Sequence, residues 1–125
     1  MEKLKRAFLI DVKNKTSREL TINDSLDEFY KVLDCTTIDI TSREIGGNYY
    51  EIVCDDEGLF AENPIVSAID SKYKPTLVGN LLIFGVGDEN GELQSLTDED
   101  VDTIKKSIVK GVTEFGILDV LVCDY

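Results

Sequence analysis

Apolar positions along this chain keep one of two periods, and each change of period marks the end of an element. Arg6 to Val12 places Phe8, Ile10 and Val12 on one side and Ala7 and Leu9 on the other. Apolar weight on both sides predicts an inner strand. Lys13-Asn14-Lys15 is a turn, and Arg18 to Ile22 reads as a short second strand pairing back on the first. The period then lengthens. Ser25 followed by Glu28 has capping-box spacing, and Leu26, Phe29, Tyr30 and Leu33 fall at i, i+3, i+4 and i+7, which predicts a helix over about Ser25–Asp34 with one buried stripe. From Thr36 to Ile45 the period is two again: Ile38 and Ile40 alternate with Thr37, Asp39 and Thr41, as in an antiparallel strand with one wet face. Gly46-Gly47-Asn48 tolerates positive φ in a tight connection, and Tyr49 to Cys54 returns as the partner strand. Ile45 is out of phase with Ile38 and Ile40, so a bulge or strand end is expected near Arg43-Glu44.

Asp55-Asp56-Glu57-Gly58 reads as a polar turn, and Asn63-Pro64 breaks the chain before an expected single helical turn at Val66 to Ile69. After a loop from Lys72 to Pro75, the nearly continuous apolar run from Thr76 to Phe84 predicts one strand covered on both faces, with Gly79 marking close packing or a bulge. Gly85-Val86-Gly87 and Asp88-Glu89-Asn90-Gly91 form an acidic loop that lacks the third Gly and the immediate helix of a nucleotide-binding turn. Thr97 caps a last helix over Asp98–Lys110, with acids in its first turn, lysines late and Val101, Ile104 and Ile108 as its stripe. Gly111 ends that helix, and Gly116 to Cys123 is a final strand. The sum is a single α+β domain over residues 1–125: a mainly antiparallel sheet with two principal helices packed on it.

Composition narrows the chemistry. The chain has 25 acidic and 13 basic residues, a net charge of −12, and no His. That charge opposes binding to nucleic acid or anionic lipid, which need clustered Lys and Arg. It serves either solubility alone or attraction of a basic partner. No run approaches the roughly 20 apolar residues of a membrane span. The apolar patch Ala7 to Ile10 is too short for a secretory signal, so a cytoplasmic protein is expected. Cys35, Cys54 and Cys123 have no zinc or disulfide spacing, and without His no Cys-His pair can form. Cys54 and Cys123 sit in apolar strand patterns and read as small core residues. Asp55, Asp56 and Glu57 do not follow the spacing of a calcium loop.

Five short stretches together carry a likeness: Ile52-Val53-Cys54-Asp55-Asp56-Glu57-Gly58-Leu59, Asn63-Pro64, Ser67-Ala68, Val78-Gly79-Asn80-Leu81-Leu82-Ile83 and Leu96-Thr97-Asp98-Glu99-Asp100. In this order the chain resembles the domain-of-unknown-function family numbered thirty-eight forty-six, over roughly Leu4 to Ser107. The family's usual Gly-Gly after the first helix is replaced here by Leu33-Asp34-Cys35. The resemblance implies an α+β fold and a phage or mobile-element context in Gram-positive bacteria, and it carries over no active site.

Three function classes make different demands on the surface. An accessory protein that binds a basic protein partner, such as a host or defence factor, needs an acidic face and a few anchors. Asp55, Asp56, Glu57, Asp88 and Glu89 are the expected steering charges, with Tyr49 and Tyr73 as anchors. A small-ligand binder needs a concave site, expected under the loops 58–75 and 85–95; phosphorylated ligands require Lys72, Lys74 and Arg43 to converge. An enzyme is the poorest fit, because only carboxylates and Tyr remain for acid-base work. The expectation is therefore a binding protein with no catalytic residue, no cofactor and no metal.

Overall fold

The computed structural model describes residues 4–56, 65–87, 92–113 and 116–124. One hairpin is set by two glycines. Gly46 and Gly47 both have positive φ, +58° and +91°, as a two-residue hairpin loop with right-handed strand twist requires. They join β3 (Ile38–Ile45) to β4 (Asn48–Asp55) in unbroken register from Ile45↔Asn48 to Ile38↔Asp55. Of the bulge or strand end expected near Arg43-Glu44, the structure has the strand end: the ladder is unbroken and β3 stops at Ile45. Ile45 is out of phase because both faces of the strand are used: Ile45 is fully buried on one side, and Ile38 packs against a second cluster on the other.

The hairpin belongs to a five-stranded antiparallel sheet with the order β2-β1-β7-β4-β3. β1 (Leu4–Asp11) pairs with β2 (Thr16–Asn23) over its whole length, and β7 (Leu81–Gly85) fills the centre with all five residues buried. On one face Phe8, Ile10, Tyr50, Ile52, Leu81 and Ile83 form a core cluster. On the other, Ala7, Leu9, Val53, Leu82 and Phe84 join Phe29 and Leu33 of α1 (Leu26–Leu33). The rings of Phe29 and Phe84 lie 5.6 Å apart at a tilt of 58°, a favoured aromatic arrangement. Ser25 caps α1 by accepting from the Glu28 N–H at 3.3 Å.

Where a single sheet was expected there is also a second, with the order β6-β5-β9-β8. β5 (Val66–Ile69) stands where a helical turn was anticipated. It pairs antiparallel with β6 (Pro75–Val78) and parallel with β9 (Gly116–Val122), through Ala68↔Leu121 and Ile69↔Val122. The apolar run Thr76 to Phe84 is likewise two strands in two sheets. Gly79, at φ +76°, turns the chain from one to the other, and Asn80, buried behind it, accepts from the Val12 N–H at 3.0 Å. A methyl group at Gly79 would meet no atom within 4 Å, so backbone conformation and not close packing calls for glycine there.

The last helix is shorter than its charge pattern suggests. α2 (Asp98–Lys106) opens on a reciprocal capping box between Thr97 and Asp100, with Val101 and Ile104 buried in the first core cluster. It stops at Ser107, and Ile108 begins β8 (Ile108–Thr113), antiparallel to β9. Gly111 is thus a strand residue and no helix cap; a Cβ there would come within 2.9 Å of Val120 Cγ2. At the far end Asp124 and Glu44 exchange backbone hydrogen bonds of 2.7 and 2.9 Å, tying the chain after β9 to the edge of the first sheet.

Candidate functional site

The crossing at Gly79 brings β6 over the end of the β3–β4 hairpin and leaves a cleft there. A two-residue loop fixes the hairpin register, and that register sets Asp39 opposite Cys54 and Ile38 opposite Asp55. The cleft is lined on one side by Asp39, Cys54, Asp55 and Asp56 and on the other by Pro75 to Val78, and encloses about 310 Å³. Three carboxylates therefore border an opening walled by Pro75, Leu77 and Val78. The Asp56 N–H donates to the Thr37 carbonyl at 3.3 Å, holding the chain across the mouth.

Cys54 is the thiol of the cleft, and its surroundings suppress its reactivity. Burial pushes the thiol up to about 11, and the neighbouring carboxylates of Asp39, Asp55 and Asp56 add to the shift against the opposing Arg43. The thiol stays protonated at neutral pH, its sulfur 3.7 Å from the Asp39 carbonyl that it donates to. Among the described residues no three His, Cys, Asp or Glu side chains are grouped to hold a metal ion.

The remaining expected site residues are dispersed. Glu57, Asp88 and Glu89 lie outside the described residues. Tyr49 is half-exposed beside the Gly46-Gly47 loop, at the opposite end of β4 from Asp55; six residue steps along the strand separate them, roughly 20 Å. Tyr73 stands in the β5–β6 turn, 81% exposed and with φ +65°. Asp70 builds that turn: its carboxylate accepts from the Lys72 and Lys74 N–H groups at 2.8 and 2.9 Å. The Lys74 N–H foremost holds this carboxyl below its ordinary value. Tyr73 faces a separate apolar groove bordered by Val66, Ile69, Val109 and Val120. Lys72, Lys74 and Arg43 do not line the acidic cleft; Arg43 is buried on β3, its Nε donating to Thr41 Oγ1 at 3.1 Å. Asp39 and β6 were missed from sequence. Counting back from the Gly46-Gly47 loop would have found Asp39, whereas nothing local announces β6.

The stretches that carry the family likeness now have structural places: Asp55 and Asp56 at the cleft, Gly79-Asn80 at the crossing between sheets, Thr97 and Asp100 in the capping box. The sequence profile described as "Domain of unknown function (DUF3846)" matches residues 4–108. The chain belongs to this family. The DUF3846 match takes in the whole first sheet, both helices, β5 and β6, and ends at the first residue of β8, so β9 lies beyond it. No curated protein and no solved structure is significantly similar to the chain. No helix among the described residues is long and apolar enough to cross a membrane.

Proposed function

We propose that this DUF3846 protein is a small cytoplasmic accessory protein of a phage or mobile element, which acts by binding a basic protein partner at the acidic cleft. The observation that supports this reading is the composition of the cleft wall: Asp39, Asp55 and Asp56 around an apolar side made by Pro75, Leu77 and Val78. A lysine or arginine side chain of the partner fits such a place, with its alkyl stem along the apolar wall and its charged head among the carboxylates. The overall charge of −12 accelerates encounter with a positive surface over a range of about 10 Å at 0.1 M salt. The function needs no chemical step, and the two helices serve to brace the first sheet that presents the cleft.

The test begins with capture from host cells with and without their mobile elements, using the wild-type chain and Asp55→Lys/Asp56→Lys as paired baits. Association kinetics with the identified partner follow at two salt concentrations. The charge reversal should slow association more than it speeds dissociation, because charges at a contact's rim act on encounter. An on-rate indifferent to salt and to the reversal refutes the reading. The cleft volume of about 310 Å³ also admits a small cationic ligand. Calorimetry with spermidine tests this alternative, and binding lost in the same double variant would favour it.

A further inference from the structure

The four sheet edges are not treated alike. β2 carries Arg18 and Glu19 exposed on its edge, β3 carries Asp39, the buried Arg43 and a terminus tied down by Asp124, and β6 is a short, bulged strand opening on Pro75. Charges, proline, bulges and brevity are the usual means of blocking an edge against another strand. β8 has none of them but Lys110, and Lys110 turns back over the sheet to form an ion pair with Asp119 on β9. Among the described side chains of β8 the other exposed ones are apolar, Val109 at 44% and Val112 at 86%.

The backbone of this edge is available in a defined pattern. Val122 N–H donates to the Ser107 carbonyl, so the pairs 109/120 and 111/118 are the hydrogen-bonded ones in this antiparallel ladder. The N–H and C=O groups of Ile108, Lys110 and Val112 therefore point away from β9, and no described residue pairs with them. One side of the strand borders a groove of about 520 Å³ lined by Val66, Ile69, Tyr73, Val109, Lys110 and Val120. The charged residue in its lining is cationic, Lys110 on the strand, whose ammonium is paired with Asp119. Asp70 is engaged by the turn amides, and Asp119 by Lys110 and Ser17.

From this we infer that the free edge of β8 takes up an extended segment of a partner protein as a fifth strand, its apolar side chains alternating into the Tyr73–Val120 groove and a carboxylate between them lying beside Lys110. Main-chain pairing supplies affinity and the alternate side chains supply selectivity, as in strand addition generally. This site is at the opposite edge of the second sheet from the acidic cleft, and it selects the opposite charge. It stands independently of the cleft reading.

The probes are fluorescein-labelled heptapeptides: alternating valine and aspartate, alternating valine and lysine, and the first composition with its valines contiguous. Fluorescence anisotropy should show binding of the valine–aspartate peptide, with at least about tenfold weaker binding of the other two. Hydrogen exchange should show the amides of Lys110 and Val112 gaining protection while those of Val109 and Gly111, already paired, change little. Val112→Pro removes one outward N–H without touching the β9 ladder and should abolish binding. Lys110→Gln should erase the preference for aspartate over lysine. Should Val112→Pro fail to fold, N-methylated peptides decide: methylating one alternate set of amides should abolish binding and the other set should leave it. Three results would overturn the inference: binding that ignores charge or alternation, equal effects of the two methylation patterns, or a dimer by light scattering that Val112→Pro dissolves, which would give the edge to a second copy of the chain.

Discussion

Replacing Gly79 with alanine isolates the conformational demand of the crossing between sheets. The residue has φ +76°, and an added methyl would meet nothing within 4 Å, so sterics with neighbours contribute nothing. The cost is that of an L residue in the left-handed region, roughly 1–2 kcal/mol, partly offset by the stiffer unfolded chain that alanine gives, about 0.4–1 kcal/mol. A net loss of about 1 kcal/mol is expected. With a urea dependence of roughly 1–3 kcal/mol per molar for a chain of this size, the midpoint should fall by several tenths of a molar to about 1 M with an unchanged slope. Far-UV circular dichroism during urea titration reads this directly. Gly79→Asn is the control, since asparagine tolerates the left-handed region and should lose distinctly less. Gly111→Ala is the contrast, because its cost comes from a 2.9 Å approach to Val120 and not from φ. An unchanged midpoint for Gly79→Ala, or an asparagine variant as unstable as the alanine one, would refute the argument.

Two further outcomes follow from the buried titratable groups. Burial raises the thiols of Cys54 and Cys123, so both should resist Ellman's reagent in the folded protein and react on unfolding, with the less buried Cys35 labelled first; a native disulfide in non-reducing mass analysis would contradict this. Burial alone would raise the Asp119 carboxyl, but hydrogen bonds from Lys110 and Ser17 outweigh it and leave the group below its ordinary 3.8. A folded value below the unfolded one contributes stability above about pH 4 that is lost as pH falls through the folded value. Thermal unfolding from pH 7 to 3 should therefore show a flatter acid limb for Asp119→Asn than for the wild type, and parallel limbs would sink the assignment.

Elements closed by local chemistry were legible in the sequence, and elements chosen by distant partners were not. The β1–β2 and β3–β4 hairpins follow from alternation and from Gly46-Gly47, and both helix starts follow from Ser25 and Thr97. Val66 to Ile69 is too short to show a period, and its strand state comes from Leu121 and Val122, far along the chain. The end of α2 was misread because Lys105, Lys106 and Lys110 satisfy the helix dipole equally well, whereas Ser107 is drawn out of the helix by pairing with Val122. Thr76 to Phe84 reads as one strand because each half is apolar; apolarity reports burial but not which sheet buries it. Of the cleft, Asp55 and Asp56 were seen, Asp39 was recoverable from the loop register, and the wall contributed by β6 depends wholly on the crossing.

The parallel pairing of β5 with β9 also orders events in time. During synthesis all five strands of the first sheet have been made once Gly85 emerges, so that sheet and the covering α1 can close early. β5 and β6 must then wait, as a two-stranded fragment of marginal stability, until Leu121 and Val122 arrive to fill the place between β5 and β8. The slow step of folding should accordingly be docking of β9. A refolding intermediate with a protected first sheet and an exchanging second one is the kinetic signature of this connectivity.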